Sequence, residues 1–206
     1  MSLHREQPRR RSLRLRGYDY RQPGAYFVTV CTQNRVRLFG DIADGVIDLT
    51  AAGQMVENVW EELSAFYTGV EIDAFAVMPN HVHGIIVLGE ATADIAPRVE
   101  SVGAAPCGRP GFGTGTGQTQ GSAPTEPVGK LSLADVVARF KTMTTRRYAE
   151  GVSRASWPAF PGRLWQRNYF EHVVRNEPDL DRIRRYIELN PSRWASDPEN
   201  QEGRQP

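Results

Sequence analysis

Two histidines separated by a single valine are the residues of this chain best suited to chemistry. His81 and His83 follow a turn signal at Pro79-Asn80 and precede a run of strand-forming residues. Because side chains alternate between the faces of a strand, we expect both imidazoles on one face, side by side. Paired imidazoles on a rigid strand can supply half of a metal site, although an ordinary histidine pair without metal is the alternative. Gly84 is expected to leave room for a ligand or a neighbouring backbone.

A second candidate pair lies near the end of the chain. Tyr186 and Asn190 are four residues apart in a predicted helix, so they are neighbours on one helix face. Leu180, Ile183 and Ile187 are predicted to form the buried stripe of that helix, with the pair along its border. An asparagine carbonyl oxygen can bind a hard divalent ion, and a phenol can act as a nucleophile. On these residues alone, the alternative is an amphipathic tyrosine and an asparagine that merely ends a helix.

The elements that must position these residues alternate between strand and helix patterns. Strands or extended segments are predicted at 25–33, 36–39, 46–49, 72–77, from His81 onwards, and at 162–174. Residues 72–77 should form a hairpin with the histidine strand. The sequence therefore predicts an α+β fold, with an antiparallel sheet of four or five strands and helices packed on its faces.

Three helices have recognisable start signals. Thr50 caps the first, and Ser132 with Asp135 forms a capping box for the second. The third begins near Asn176, has Pro178 in its first turn, and ends at about residue 189 or 190. Their apolar stripes at helical spacing indicate core packing, and we assign them no chemistry.

Residues 90–129 have a composition unlike that of the flanking segments. Eight glycines lie between Gly103 and Gly129, and prolines stand at 97, 106, 110, 124 and 127. Such a segment cannot bury enough apolar surface to offset its ordering entropy, which predicts a flexible insertion. The glycines at 111, 113 and 115 do not form a phosphate-binding loop, because no strand precedes them and the spacing is incomplete.

Positive charge is concentrated at the N-terminus although the net charge of the 206 residues is only +1. We predict a basic arm at 1–16 that contacts DNA phosphates, a single domain at 17–195, and a polar C-terminal tail at 196–206. A solvated arm with no partner is the alternative. The candidate DNA contacts are Arg9, Arg10, Arg11, Arg14, Arg16, Lys141 and Arg167.

Several classes of protein are disfavoured by composition. Cys31 and Cys107 lie in different contexts, one in a predicted strand and one in the insertion, so neither a disulfide framework nor a cysteine zinc site is expected. No apolar run approaches the ~20 residues of a membrane span, and no signal peptide is visible. We therefore expect a soluble protein in a reducing cytoplasm, with no membrane partner.

Six stretches taken together resemble the single-tyrosine HUH transposases, and most closely the REP-associated tyrosine transposase branch. They lie between Gly17 and about Trp194, at 17–20, 26–32, 77–84, 140–142, 164–167 and 186–191. Each stretch is weak alone, but their order of strand, His-x-His, helix, Trp-Gln and helical Tyr-x-x-x-Asn is specific. The long insertion and the arginine-rich N-terminus depart from the family pattern.

The resemblance implies a ferredoxin-like core and metal-dependent cleavage and rejoining of single-stranded DNA. By this resemblance the nucleophile is Tyr186, which forms a 5′-phosphotyrosine, and one Mg²⁺ or Mn²⁺ ion is held by His81, His83 and Asn190. The substrate would be hairpin-forming repeat or element-end DNA in the bacterial nucleoid, bound by a homodimer or a monomer. Glu171 and His172 are candidates for a supporting role, with a structural role as the alternative.

Two other functions are compatible with the same residues. A non-catalytic module that binds single strands or hairpins would keep the sheet and the basic arm but have no working site. A metal-dependent phosphohydrolase would use water as its nucleophile and would not need a tyrosine.

Overall fold

The described part of the chain contains six strands and three α-helices. The computed structural model describes residues 15, 17–90, 131–160 and 162–200. The arginines of the predicted N-terminal arm, and all of that arm except Leu15, therefore lie outside the described residues. Cys107 and nearly all of the predicted insertion lie outside them as well. The strands are β1 (Gly24–Cys31), β2 (Gly40–Ala43), β3 (Val46–Leu49), β4 (Val70–Met78), β5 (His81–Leu88) and β6 (Phe170–Val173). The helices are α1 (Ala51–Phe66), α2 (Leu133–Arg154) and α3 (Glu177–Leu189).

The main sheet has four antiparallel strands in the order β4-β5-β1-β6, and β2 and β3 form a separate hairpin. With α1 and α2, the strands β1, β4, β5 and β6 follow one another as β-α-β-β-α-β, which is the ferredoxin-like arrangement. The predicted α+β class and the four-stranded antiparallel sheet are therefore confirmed. The register aligns Cys31 with His81 and Thr29 with both His83 and Phe170, so these residues share one face.

The two faces of the sheet are covered by different helices. Helices α1 and α2 pack over Tyr26, Val28 and Val82 to form the larger core. On the other face, Ile183 and Ile187 of α3 pack against the sheet, as the predicted stripe requires. The two histidines lie on this second face, beneath the helix that carries Tyr186.

Gly84 leaves room for a core side chain, and not for the expected ligand or neighbouring backbone. A Cβ atom at this position would come within 2.2 Å of Cζ2 of Trp60, a buried residue of α1. The glycine thus admits an indole ring from the larger core, on the sheet face opposite the histidines.

The predicted helix starts are confirmed by their hydrogen bonds. Thr50 Oγ1 accepts from the backbone N–H of Gly53, and Asn176 Oδ1 accepts from that of Asp179. Ser132 and Asp135 form the reciprocal capping box. None of the described helices is long and apolar enough to cross a lipid bilayer.

The segment at 36–39 is not the predicted strand. The backbone N–H groups of Leu38 and Phe39 both donate to the carbonyl of Pro79, at 2.9 and 3.1 Å, and strand pairing begins only at Gly40. The side chains of Leu38 and Phe39 are buried in the core. Their apolar character is therefore explained by burial and not by pairing in a β-sheet. In the predicted extended segment at 162–174, only Phe170–Val173 forms a strand, with an isolated bridge from Trp165 to Thr32.

Residues 197–200, which we predicted to belong to a polar tail, pack against the hairpin of the two histidines. A 3₁₀ turn at Pro191–Ser196 follows α3, and both Asp197 and Asn200 are buried after it. The Nδ2 of Asn80 donates to the carbonyl of Glu199 at 2.9 Å. The packed part of the chain therefore continues to the last residue that the structure describes.

Candidate active site

The two histidines are the most buried ionisable groups of the site. Their side chains leave β5 on the same face, as the alternation predicts, and are only 0% and 2% exposed for His81 and His83. The Nε2 atoms of the two rings lie 2.8 Å apart. Two ring nitrogens this close need either a shared hydrogen or a cation between them.

The hydrogen bonds of Asn80 fix the tautomer of His81. The Nδ2 of Asn80 donates to the carbonyls of Arg35 and Glu199, so its Oδ1 faces the imidazole. This oxygen can only accept, and it lies 2.7 Å from Nδ1 of His81. His81 therefore donates from Nδ1, which leaves the lone pair of Nε2 directed at His83.

The hydroxyl group of Thr29 orients the ring of His83, as Asn80 orients the ring of His81. Oγ1 of Thr29 lies 2.8 Å from Nδ1 of His83, and it accepts a hydrogen in the tautomer that frees Nε2 of His83. Burial lowers the pKa of His81 well below its ordinary value and lowers that of His83 to about 3. Both rings are therefore neutral at physiological pH, the form in which imidazole binds metals.

Tyr186 lies where α3 crosses the histidine face. Its hydroxyl is 3.4 Å from Nε2 of His83, and its ring packs edge-on against His83 and Phe27. Burial, followed by the negative charge of Asp197, raises the pKa of this phenol to about 12, against a smaller lowering by Asn190. The hydroxyl is thus protonated at neutral pH, and it is positioned beside the imidazole pair.

Tyr148, the tyrosine of α2, is not placed to act as a nucleophile at this site. Its ring is fully buried in the larger core, and its hydroxyl donates to the carbonyl of Pro158 at 3.0 Å. Tyr186, in contrast, is 37% exposed and its hydroxyl faces the histidines.

Two further buried oxygens, on Asn190 and Asp197, have no hydrogen-bond partner in the part of the chain that the structure describes. Asn190, at the end of α3, is 2% exposed, and its Oδ1 has no hydrogen-bond partner among the described residues. Oδ2 of Asp197 is likewise buried without a partner. The donor atoms that His81, His83 and Asp197 offer all lie within 4.8 Å of one another. Leaving such oxygens unsatisfied is costly, and a cation would satisfy them.

Sequence reasoning missed Asp197. It lies seven residues beyond Asn190, in a stretch whose polar composition we interpreted as a tail. The available signal was Trp194, a large aromatic residue only three positions earlier, which packs against the ring of His81 with centroids 6.0 Å apart. A large aromatic side chain is usually buried, so Trp194 indicates that the chain is still packed at this position.

The donor set fits a divalent metal ion. Two neutral imidazole nitrogens come from one strand, and an amide oxygen and a carboxylate oxygen come from the segment that begins at the end of α3. Mixed nitrogen and oxygen donors suit Mn²⁺, and the two oxygens also suit Mg²⁺. Thr29 and Asn80 would orient the two imidazoles as outer partners.

The remaining candidates do not belong to this group of donors. Lys141 donates its ammonium hydrogens to the carbonyls of residues 166, 167 and 168, at 2.8, 3.2 and 3.2 Å. Burial lowers the pKa of Lys141 to about 8. Arg167 lines a separate basic groove with Arg146 and Arg163. Glu171 is buried on the opposite face of the sheet from His83, and His172 lies 2.8 Å from a carboxylate oxygen of Asp179.

The chain is similar to a known protein in sequence and to a solved transposase in structure. No protein-family model matches the chain. An uncharacterized protein of Haemophilus influenzae is 35% identical over 193 residues, a match that covers 91% of each chain. The solved structure of a REP-associated tyrosine transposase bound to a REP hairpin aligns with a TM-score of 0.51 and 18% identity, over 90% of this chain and 79% of that one. The expected relationship to the REP-associated tyrosine transposases is thereby confirmed for the fold. The chain belongs to one protein family with the Haemophilus influenzae protein, and its fold is that of the REP-associated tyrosine transposase.

Proposed function

We propose that this protein is a transposase-like enzyme that cleaves and rejoins single-stranded DNA through Tyr186. The observation that carries the proposal is the position of the phenol, 3.4 Å from Nε2 of His83 in a buried group of metal-type donors. A fold shared with a transposase that was solved on a REP hairpin supports hairpin-forming DNA as the substrate class.

His81, His83, Asn190 and Asp197 would hold one Mg²⁺ or Mn²⁺ ion. Such an ion, when bound, polarises a phosphate oxygen and neutralises the charge that develops on it. The part of the chain that the structure describes contributes all four donors and the tyrosine, so a single copy contains the complete set. On this proposal a monomer would be sufficient for the chemistry.

The reaction forms one bond to phosphorus and breaks another. The Tyr186 oxygen attacks the scissile phosphorus, and the bond to the 3′ oxygen breaks and leaves a free 3′-OH. Because the pKa of the phenol is about 12, its proton must leave during the attack, and the leaving 3′ oxygen must gain one. The 5′-phosphotyrosine retains an activated phosphate, so a 3′-OH can reverse the step without ATP.

For the DNA contacts, we propose the basic groove between α2 and residues 162–167, which has a volume of about 530 Å³. Arg146, Arg163 and Arg167 present guanidinium groups along this groove, which suits phosphates. Lys141 instead positions the segment that carries Arg167, because its donors are directed at backbone carbonyls. The arginines of the N-terminal arm, Arg9 to Arg16, would add sequence-independent phosphate contacts.

The test is formation of a covalent protein–DNA adduct. Hairpin-bearing single strands from the DNA that flanks the gene are incubated with protein and Mn²⁺, and the mixture is run on a denaturing gel. We expect a shifted band with wild type and with Tyr169→Phe, which removes a hydroxyl elsewhere. Tyr186→Phe should give no such band while its melting temperature and its hairpin affinity remain unchanged.

Each competing function has its own result in this experiment. Cleaved DNA without any adduct would identify a phosphohydrolase that uses water. Hairpin binding without cleavage, at every divalent ion tried, would identify a binding module. Peptide mapping of the trapped adduct should place the nucleotide on Tyr186, and an adduct on another tyrosine would refute the assignment.

A further inference from the structure

A groove with a volume of about 450 Å³ opens directly beside Tyr186, between α3 and the edge strand β6. We call it the α3–β6 groove. Its lining combines aromatic and aliphatic side chains with four basic ones: Phe27, Phe170, His172, Arg182, Ile183, Arg185, Tyr186, Leu189 and Arg193. It has no lining carboxylate among the described residues. The proposed chemistry at Tyr186 uses none of the basic side chains.

The aromatic residues of the groove are unusually accessible. Phe170 is 41% exposed at the outer strand of the sheet, next to Tyr186 at 37%. Phe27 forms the floor, with its ring centroid 6.1 Å from that of Phe170 and 5.9 Å from that of Tyr186. Because Phe27 also stacks on His83 at 5.6 Å, a single ring separates the groove from the donor group.

The positive charges at the rim differ in how they are held. Arg182 is paired with Asp179, which also lies against His172. Arg185 and Arg193 have no hydrogen-bond or ion-pair partner for their side chains among residues 15, 17–90, 131–160 and 162–200. Two unpaired guanidinium groups beside an exposed aromatic ring are typical of sites that bind single-stranded nucleic acid.

We propose that the α3–β6 groove binds the nucleotide that flanks the scissile phosphate, with its base stacked on Phe170 and its phosphate held by Arg185 and Arg193. This inference rests on the proposed function, which places the scissile phosphate at Tyr186. A base in the groove would fix the strand on one side of the nucleophile, and phosphate contacts at the rim would limit its rotation. In-line attack requires such positioning.

The charge pattern favours a single strand over other occupants. A duplex cannot present the face of a base to Phe170, because its bases are stacked on one another. An apolar peptide would leave two guanidinium groups without partners at the rim, whereas a nucleotide matches both the ring and the charge.

The base contact can be tested without catalysis. Anisotropy of a labelled twelve-residue oligothymidine and of an abasic strand of equal length is measured with the full chain in EDTA. Wild type should prefer the oligothymidine, and Phe170→Ala should bind it roughly 5- to 150-fold more weakly, the range for one stacked base. Phe170→Tyr should retain the preference, because it keeps the aromatic face. Val46→Ala removes apolar surface that is 69% exposed on another hairpin, and it should change nothing.

The phosphate contacts are tested by salt dependence. The double variant Arg185→Gln with Arg193→Gln should lower the slope of log affinity against log salt by about 1.4, at ~0.7 per contact on a single strand. Arg154→Gln is the matched control, because this exposed arginine of α2 lines neither groove. An equal slope change in control and double variant would overturn the assignment.

The outcomes separate this proposal from the proposed function. If wild type shows no preference for oligothymidine over the abasic strand, or if Phe170→Ala binds like Val46→Ala, the groove proposal is overturned even where Tyr186 forms an adduct. If the preference and its loss are observed but no adduct ever forms, the groove proposal is upheld and the catalytic one fails.

Discussion

The properties of each imidazole at the site are decided by the single residue behind it. Asn80 accepts from Nδ1 of His81, and Thr29 lies against Nδ1 of His83. Neither outer residue would touch a bound ion, yet each determines whether an Nε2 lone pair is available. Orientation of this kind commonly changes metal affinity by about 10- to 100-fold.

Thr29→Val should therefore weaken metal binding without disturbing the fold. Valine has nearly the shape of threonine, but it cannot bond to Nδ1 of His83. We expect Mn²⁺ affinity, measured by titration calorimetry, to fall roughly 10- to 100-fold. Thr142→Val removes an exposed hydroxyl on α2 and serves as the control. An unchanged dissociation constant in Thr29→Val would show that the ring is oriented by other contacts.

A second prediction concerns the carboxylate that closes the donor group. Asp197→Asn keeps the size of the side chain and removes its charge, so Mn²⁺ affinity should fall by about tenfold or more. Asp48→Asn, on the exposed side of β3, provides the charge-matched control. If the two variants bind Mn²⁺ equally well, Asp197 is not a ligand and the set reduces to His81, His83 and Asn190.

Most of the residues at the site could be predicted from sequence, and the exception has a physical reason. The period of a strand aligns His81 with His83, and the period of a helix aligns Tyr186 with Asn190. Asp197 lies in neither the strand nor the helix, so no regular repeat relates it to the other residues of the site. Its burial depends on tertiary contacts between the last described residues and the histidine hairpin, such as the bond from Asn80 to the carbonyl of Glu199.

At the scale of elements, the position of α3 controls the distance between nucleophile and histidines. Three contacts with the sheet are prominent among those that hold this helix: the apolar pair Ile183 and Ile187, an ion pair from Arg184 to Asp73, and the contact of Asp179 with His172. The ion pair is bidentate, with Nε and Nη2 of Arg184 at 3.0 and 2.6 Å from the two carboxylate oxygens. Asp73 lies at an irregularity of β4 that turns its side chain towards the helix.

This ion pair predicts a pH dependence of stability. Hydrogen bonding from Arg184 lowers the pKa of Asp73. The pair therefore stabilises the fold above the unfolded-state pKa of ~3.9, and this contribution is lost as the pH falls through the lower folded-state pKa. Because both groups are partly exposed, Asp73→Asn should cost about 1 kcal/mol or less in urea unfolding at pH 7. The difference from wild type should shrink as the pH falls below the unfolded-state pKa and should vanish below the folded-state pKa, so a difference that stays constant in acid would contradict the assignment.

Packing on the other side of the sheet gives a prediction for Gly84. Alanine there would bring Cβ to 2.2 Å from Cζ2 of Trp60, so α1 must shift. We expect a loss of about 1–3 kcal/mol in the free energy of unfolding. Gly89→Ala is the control, since its Cβ would meet its nearest atom at an ordinary 3.4 Å. Equal melting temperatures for the two variants would rule out the steric explanation.

Long elements with a clear period were predictable, and short ones were not. The three helices have caps and apolar stripes that depend on local sequence alone. The segment at 36–39 has the apolar residues of a strand, but tertiary contacts decide its backbone, because its N–H groups bond to the carbonyl of Pro79. The pairing of β2 with β3, in contrast, depends on a local turn through Asp44 and Gly45, which both have positive φ.

At the scale of the whole molecule, the site is assembled across a large gap in sequence. The histidines lie before residue 90, and the tyrosine, the asparagine and the aspartate lie after residue 185. The predicted insertion at 90–129 separates the two groups, and the packed elements on either side meet in the sheet, where β6 pairs with β1.

Deletion of residues 95–125 should leave stability nearly unchanged. The composition of this segment predicts little buried surface, and each halving of a loop changes its closure cost by only ~0.6 kcal/mol. We expect the melting temperature of the shortened chain to lie within about 4 °C of wild type. A much larger drop would show that the segment is packed against the domain. Adduct formation by the shortened chain would additionally show that the segment is dispensable for chemistry.

The order in which the chain is synthesised gives the placement of α3 a further consequence. Synthesis proceeds from the N-terminus, so the histidine strand exists well before the helix with Tyr186 and the segment with Asp197. A nascent or prematurely terminated chain would hold two imidazoles but neither the nucleophile nor the oxygen donors. On the proposed function, such products cannot cut DNA, and cutting begins only when α3 and the segment that carries Asp197 have folded.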